Sequence, residues 1–308
     1  MVSTEHRRHR PHASSRRTQL TRRIVFLDID GTLIDEQERI QPSTVEAVSR
    51  ARAAGHLVFI CTGRSRAEIY PQILDIGFDG IVSAGGSFVW FGGETRVSRT
   101  MSLADVTFAI DVFTRSGIDF YVQSDSAVIA SPGFRAHLRR LLAVDLADSD
   151  RVEADGALQF ETFFEEGGEL LRGDIGKMCF LSAETPIDEI RETFAGRFDV
   201  INATVPVLGP HSGELLQLGV NKGSAILEVC HLMGLERADT IGIGDSINDV
   251  EMLQLTGVGV AMGNAPDAIK AHADQVTTGV DDNGVWNAFV RNELISADES
   301  VVPTAAFA

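Results

Sequence analysis

Between residues 24 and 85, short apolar runs alternate with helical stretches, and the same alternation returns after residue 213. Strands separated by helices imply a parallel sheet with right-handed crossovers. The first run, 24–29, is β-branched and aromatic and ends in the turn Asp30-Gly31-Thr32. Pro42 suits the first turn of a helix through Ala54, which Gly55 would stop. A second run, 56–61, closes in Thr62-Gly63-Arg64; Pro71 breaks the helical stretch that follows, and 81–83 reads as a third strand. Beyond 213, helices are expected at 224–233, 247–255 and 266–273, with strands at 240–243, 258–261 and 275–278. The predicted class is α/β: a Rossmann-like parallel-sheet core built from 24–85 and 213–295.

The texture changes between them. Residues 86–212 read as a separate α+β domain inserted into the core, with short strands around Phe120-Tyr121-Val122 and 127–130 and an acidic loop near 143–156. Residues 1–23 form a basic tail, and 296–308 a second tail, neither with a pattern that asks for a fold.

Charge narrows the partners. Of 27 Lys and Arg and 44 Asp and Glu, the tail holds seven arginines and one acid, Glu5, leaving 20 basic and 43 acidic side chains for the body. Such a body repels nucleic acid and anionic lipid, so no nucleic-acid partner is expected. No run approaches the ~18 apolar residues that would cross a bilayer, and no membrane partner is expected either. The odd, scattered cysteines Cys61, Cys179 and Cys230 give neither a disulfide framework nor a zinc site, which fits a reducing, cytoplasmic setting. Nothing in the sequence speaks to oligomeric state.

In open α/β sheets ligands gather beyond the carboxyl ends of the strands, and there the polar residues of this chain collect. The first strand delivers Asp28 and Asp30, the second Thr62 and Gly63. The strand at 240–243 delivers Asp245, followed by Asn248 and Asp249, and Lys222 opens the helix before it. Two carboxylates ~4 Å apart repel by roughly 4 kcal/mol at an effective dielectric of ~20. Adding Asp245 calls for a hard divalent cation with oxygen ligands. Each signal alone has a plain reading: a solvated or capping acid, a turn, an N-capped helix, a solvated lysine. Their joint order, each after an apolar run, favours a site for an anion, with Mg²⁺ and Lys222 supplying positive charge.

These residues resemble the haloacid dehalogenase superfamily, and within it the Cof-type phosphatases with an inserted type-two cap. The resemblance is carried by Phe26-Leu27-Asp28-Ile29-Asp30-Gly31-Thr32-Leu33, Thr62-Gly63-Arg64, Asn221-Lys222-Gly223, Gly244-Asp245-Ser246-Ile247-Asn248-Asp249, and Val260-Ala261-Met262-Gly263-Asn264-Ala265. It implies a Mg²⁺-dependent phosphomonoester hydrolase acting on a small phosphorylated metabolite, such as a sugar phosphate. Asp28 would be the nucleophile that forms an aspartyl-phosphate, and Asp30 the acid and base. Mg²⁺ would be held by Asp28, the backbone carbonyl of Asp30, and Asp245. Ile29, Thr62, Gly63, Lys222 and Asn248 would bind the phosphoryl group, and Asp249 would support Lys222 or the metal. A phosphosugar mutase, or a binding protein that kept the fold without turnover, are the alternatives.

The chain departs from the family at Ala84-Gly85-Gly86, where an Asn-Gly pair is common, and at Cys61, which reads as a small buried hydrophobe. Arg64 suits either a phosphate contact or an ion pair. Lys177 reads more readily as a strand-edge charge that keeps the sheet soluble than as a substrate contact. Phe163 and Glu165-Glu166 fall, by location alone, on the cap's substrate face. The histidines have no metal-ligand spacing.

Overall fold

The strands at 24–27 and 57–61 are apolar along their whole length because both faces of their sheet are covered. The computed structural model describes residues 22–145, 160, 162–165, 167–203 and 208–297. Most of the basic tail, most of the acidic stretch 143–156, Glu166 and the segment from 298 onward lie outside the described residues.

One sheet has eight strands. In chain order they are β1 (Ile24–Leu27), β2 (Leu57–Cys61), β3 (Gly80–Ser83), β4 (Phe88–Phe91), β5 (Glu94–Ser98), β11 (Thr240–Gly244), β12 (Val258–Ala261) and β13 (Gln275–Val276). In space the order is β13-β12-β11-β1-β2-β3-β4-β5. The strands from β13 to β3 run parallel, and β4 and β5 add an antiparallel hairpin at the edge. Alternation along each strand sorts the core into two layers. Val25, Leu27, Val58, Ile60, Ile241 and Ile243 meet helices α1 (Pro42–Ala53) and α9 (Gly284–Arg291) on one face. Ile24, Phe26, Phe59 and Cys61 meet α6 (Lys222–Met233) and Met252 of α7 (Val250–Leu255) on the other. From β1 the chain works outward through β2 and β3, and on its return it starts again at β11, on the other side of β1. The β1/β11 boundary is therefore the topological switch point, where such sheets open a crevice.

The second sheet is antiparallel, in the order β7-β6-β8-β10-β9, from β6 (Asp119–Gln123), β7 (Val128–Ala130), β8 (Lys177–Leu181), β9 (Phe198–Asn202) and β10 (Gly213–Gln217). Met178, Phe180, Leu215, Phe120 and Val122 pack under α3 (Leu103–Arg115) and α5 (Ile187–Phe194). On the opposite face, Tyr121, Cys179 and Leu181 pack with Phe134 and Leu138 of α4 (Phe134–Asp145).

Both expected domain edges shift. β4 and β5 belong to the first sheet, so the second unit starts later than residue 86, and β10 belongs to the second sheet, so it ends later than 212. The Gly92-Gly93 pair between the apolar Phe88–Phe91 and the polar, exposed Glu94–Ser98 makes the hairpin that adds these edge strands. Local elements are shorter than periodicity suggests. β1 stops at Leu27 because the carbonyl of Ile29 accepts the amides of Thr32, Leu33 and Ile34 at 2.8–3.2 Å, closing a tight loop. The stretch around Pro71 becomes a turn of 3₁₀ helix (Arg66–Glu68) and the four-residue α2 (Pro71–Leu74). The remaining helix, α8 (Asp267–Lys270), is likewise a short core of the expected 266–273.

Candidate active site

The switch point holds three buried groups in contact: Asp28, Lys222 and Asp249 are 3, 1 and 0% exposed. Asp28 follows β1 directly, and its amide continues the ladder by donating to the Ile243 carbonyl at 3.0 Å. Lys222 is the first residue of α6, and its direction is fixed by the cap before it. The Asn221 side chain accepts from the Ser224 amide at 2.8 Å, and the Ser224 hydroxyl accepts from the Asn221 amide at 3.1 Å. The ammonium donates to Asp28 Oδ1 at 2.8 Å, Asp249 Oδ1 at 2.6 Å and Asn248 Oδ1 at 3.3 Å. Its three N–H groups are all engaged.

Asp249 braces the loop after β11. Its Oδ2 accepts from the amides of Asp245 and Ser246, each at 3.0 Å, and from the Ser246 hydroxyl. That arrangement caps the 3₁₀ turn Ile247–Asp249 and locks the loop after β11. Among the described residues Asp245 receives only the Thr32 hydroxyl on Oδ1, at 3.3 Å. The close approach of Asp245 explains Gly31: its φ is +78°, and a Cβ there would lie 2.3 Å from Asp245 Oδ2.

Charge is unbalanced. Burial pushes Asp28 well above the usual carboxylate range, and Asp249 and Asp245 push it further while Lys222 pulls it back. Burial and Asp249 push Asp245 up to about 7. Burial works against the Lys222 ammonium, but Asp249 and Asp28 outweigh it and raise its pKa. Asp28, Asp245 and Asp249 each offer an oxygen within 4.8 Å of the other two. Since both Asp249 oxygens are already hydrogen-bonded, Asp28 and Asp245 have the lone pairs to spare. This set of hard oxygen donors with excess negative charge fits a divalent cation such as Mg²⁺.

The other expected residues fall around this centre. Asp30 points elsewhere: its carboxylate, 57% exposed, takes two bonds from Arg64, at 3.0 and 2.6 Å. Partial desolvation pushes the Asp30 pKa up, but Arg64 pulls it down further, below the usual range. Arg64 also lies over the Tyr70 ring, at 4.7 Å. Thr62 is buried, and its hydroxyl accepts from the Arg64 amide at 3.1 Å. Gly63 adjoins Asn248, whose Nδ2 would be 3.3 Å from a Cβ at that position. Ile29 is buried in the loop behind Asp28. Burial pushes the Cys61 thiol up, so it stays protonated, a small buried group as expected. Phe163 stacks on Tyr70 at 5.2 Å, at the junction of the two units.

The reading of Lys177 as a strand-edge solubility residue is overturned. β8 is the central strand of its sheet, and Lys177 is 2% exposed. Its ammonium donates to the Gly63 carbonyl at 2.6 Å and pairs with Glu214 at 3.0 Å. Burial works against its charge, but Cys179, Glu214 and Glu68 outweigh it. Beside it Gln123 donates to Glu68 across the same junction, and Arg66 pairs with Asp125. A lysine on the alternate phase of the run Lys177-Met178-Cys179-Phe180-Leu181 was the available signal. Nothing comparable marked Glu214.

A profile of haloacid dehalogenase-like hydrolases matches residues 25–289, nearly the whole described chain. The chain belongs to this family. It is a Cof-type phosphatase of the superfamily, with the parallel-sheet core and an inserted cap. A 5-amino-6-(5-phospho-D-ribitylamino)uracil phosphatase of Bacillus subtilis is 29% identical over 291 residues, covering 89% of this chain and 98% of the relative. A hypothetical protein of Geobacillus kaustophilus superposes with a TM-score of 0.71 at 28% identity, over 89% of this chain and 100% of that one. A subclass IIB sugar phosphatase of the superfamily superposes with a TM-score of 0.70 at 24% identity, over the same shares, and shows the common fold. In this haloacid dehalogenase-like hydrolase the five-stranded sheet is the cap, and the Lys177–Gly63 bond ties it to the core.

Proposed function

We propose that this enzyme is a Mg²⁺-dependent phosphomonoesterase that works through an aspartyl-phosphate on Asp28, with a small phosphorylated metabolite such as a sugar phosphate as substrate. The observation that carries this reading is Asp28 at the switch point, gripped by Lys222 at 2.8 Å and within 4.8 Å of Asp245, which forms no ion pair among the described residues. Mg²⁺, held by Asp28 and Asp245, would neutralise phosphoryl oxygens and leave phosphorus open to an anionic nucleophile.

The residues then divide the work. Lys222 opposes burial and the neighbouring acids, and so favours the ionised Asp28 that attack requires. Asp28 Oδ forms a bond to phosphorus as the ester P–O bond breaks, and the leaving oxygen takes a proton from Asp30. Asp30 then accepts a proton from water as the water oxygen attacks phosphorus. The P–Oδ bond breaks, returning the Asp28 carboxylate and releasing inorganic phosphate. Arg64 favours the ionised Asp30, the form that acts as base in the second step. For the first step Asp30 must carry a proton and loosen from Arg64 as the leaving group arrives. Thr62, Gly63 and Asn248 border the place the phosphoryl group would take, with Ile29 behind the nucleophile.

The cysteines Cys61, Cys179 and Cys230 are free and buried, which supports a cytoplasmic setting. Among the described residues no helix is long and apolar enough to cross a membrane. The proposal is tested by assaying phosphate release from a panel of phosphomonoesters with Mg²⁺ and with chelator. Mg²⁺-dependent release is expected. No release from any ester would overturn the proposal, and an isomeric sugar phosphate without free phosphate would mark a mutase instead.

A further inference from the structure

Lys222, which holds Asp28 at 2.8 Å, sits at one end of a cleft of about 400 Å³ between core and cap. Gly63, Lys222 and Asn248 line its phosphoryl end, and the cap strands β9 and β10 line the rest. Alternation along β10 turns Leu215 into the cap's own core and leaves Glu214 and Leu216 on the cleft side. Ile201 of β9, opposite Glu214 in the register, adds an apolar group on the same side.

Glu214 is a charged group of the cap that lines the cleft, and its place is fixed. Lys177 holds it at 3.0 Å while donating to the Gly63 carbonyl at 2.6 Å. One buried ammonium thus sets the distance between Glu214 and the loop that borders the phosphoryl site. An ionised carboxylate has about four lone-pair positions and donates nothing. Lys177 takes up one oxygen, and the Glu214 side chain stays 14% exposed, towards the cleft it lines.

The cleft's charge points the same way. Asp199 and Glu251 also line it, and the only cation among its described lining residues is Lys222, whose three N–H groups are engaged with Asp28, Asp249 and Asn248. Among the described lining residues a second anionic group on the substrate would find no free cation, and acids on several sides.

We infer that Glu214 is a specificity residue that accepts a hydrogen bond from a hydroxyl of the leaving group, and that the substrates are monophosphates of neutral, hydroxyl-bearing molecules rather than of molecules with a second acid. The inference rests on the proposed phosphomonoesterase activity and deepens it. The Lys177–Glu214 pair is neutral overall, which suits a polyol better than a carboxylate or second phosphate.

Glucitol 6-phosphate and 6-phosphogluconate make the test, because they share a carbon chain and differ in a terminal carboxylate. Hydrolysis by the wild-type enzyme with Mg²⁺ is expected to favour glucitol 6-phosphate by at least about tenfold in kcat/KM, the size of one well-placed interaction. Binding to the Asp28→Asn protein, read by calorimetry, is expected to show the same order without turnover. In Glu214→Gln, which keeps shape and drops the charge, the kcat/KM ratio is expected to fall to about threefold or less. Equal affinity for the two ligands overturns the inference even if neither is hydrolysed. An unchanged ratio in a folded Glu214→Gln protein overturns it as well. Absence of phosphate release from every ester would instead count against the proposed activity alone, since the calorimetric comparison stands without it.

Discussion

Lys222→Met separates the electrostatic role of this lysine from its bulk, since methionine keeps much of its length and none of its charge. Lys222 is 1% exposed and donates at 2.6–2.8 Å to two carboxylates that are themselves at most 4% exposed. Removing one partner of a buried ion pair costs about 3–5 kcal/mol, because the remaining charge has neither water nor a counter-ion. For a protein of this size each kcal/mol corresponds to about 2–4 °C of Tm, so a fall of about 6–20 °C is expected.

The pH dependence follows from the direction of each shift. The Lys222 pKa is raised above its unfolded value of about 10.4, so its contribution is complete at neutral pH and fades only as pH climbs through the folded value. Asp28 is raised as well, and acidification neutralises it, relieving the charge that the variant leaves bare. The gap in Tm between wild type and variant should therefore be wide at pH 8 and narrower at pH 5.5. Thermal melts followed by circular dichroism, in chelator, read both numbers. A fall of less than about 2 °C at pH 8, or the same gap at both pH values, would refute this reasoning.

The Asp245 pKa of about 7 lies above the unfolded value of about 3.9, so the folded, metal-free protein holds a proton that the unfolded chain releases. Its contribution to stability declines as pH rises from about 4 to 7, and Mg²⁺ must displace that proton. The rise in Tm given by a fixed Mg²⁺ concentration should accordingly grow between pH 6 and 8; a rise independent of pH would count against Asp245 as a ligand. Gly31→Ala places a Cβ at positive φ and 2.3 Å from Asp245 Oδ2. It should cost at least about 1–2 kcal/mol from the backbone alone and blunt the Mg²⁺ response, both read in the same melts.

The core and its site were legible in the sequence because parallel strands buried on both faces advertise themselves as apolar runs. The polar residues at their ends are then brought together by topology, as Asp28 and Asp245 are across the β1/β11 boundary. Lys222 could be read for the same reason, since it opens a helix that packs on the sheet. The cap was less legible. Its sheet is antiparallel and has charged groups on the face turned to the core, so Lys177 and Glu214 sit in segments that read as ordinary half-polar strands. That Lys177 is buried depends on β8 being central and on Gly63 lying 114 residues away, and neither is a local property. Likewise the Arg64 grip on Asp30 spans 34 residues, and sequence left Arg64 open between phosphate and ion pair. The domain edges shifted because an edge hairpin, β4–β5, adds to a sheet through backbone bonds, which leave little trace in side-chain pattern.

The central claim is that Asp28 takes the phosphoryl group. Turnover of a ³²P-labelled phosphomonoester with Mg²⁺, quenched in acid and followed by peptide mapping, tests it directly. The label should lie on the peptide bearing Asp28, be lost in hydroxylamine as an acyl phosphate is, and vanish in Asp28→Asn. Label on another residue, or full turnover by the Asp28→Asn protein, would contradict the account.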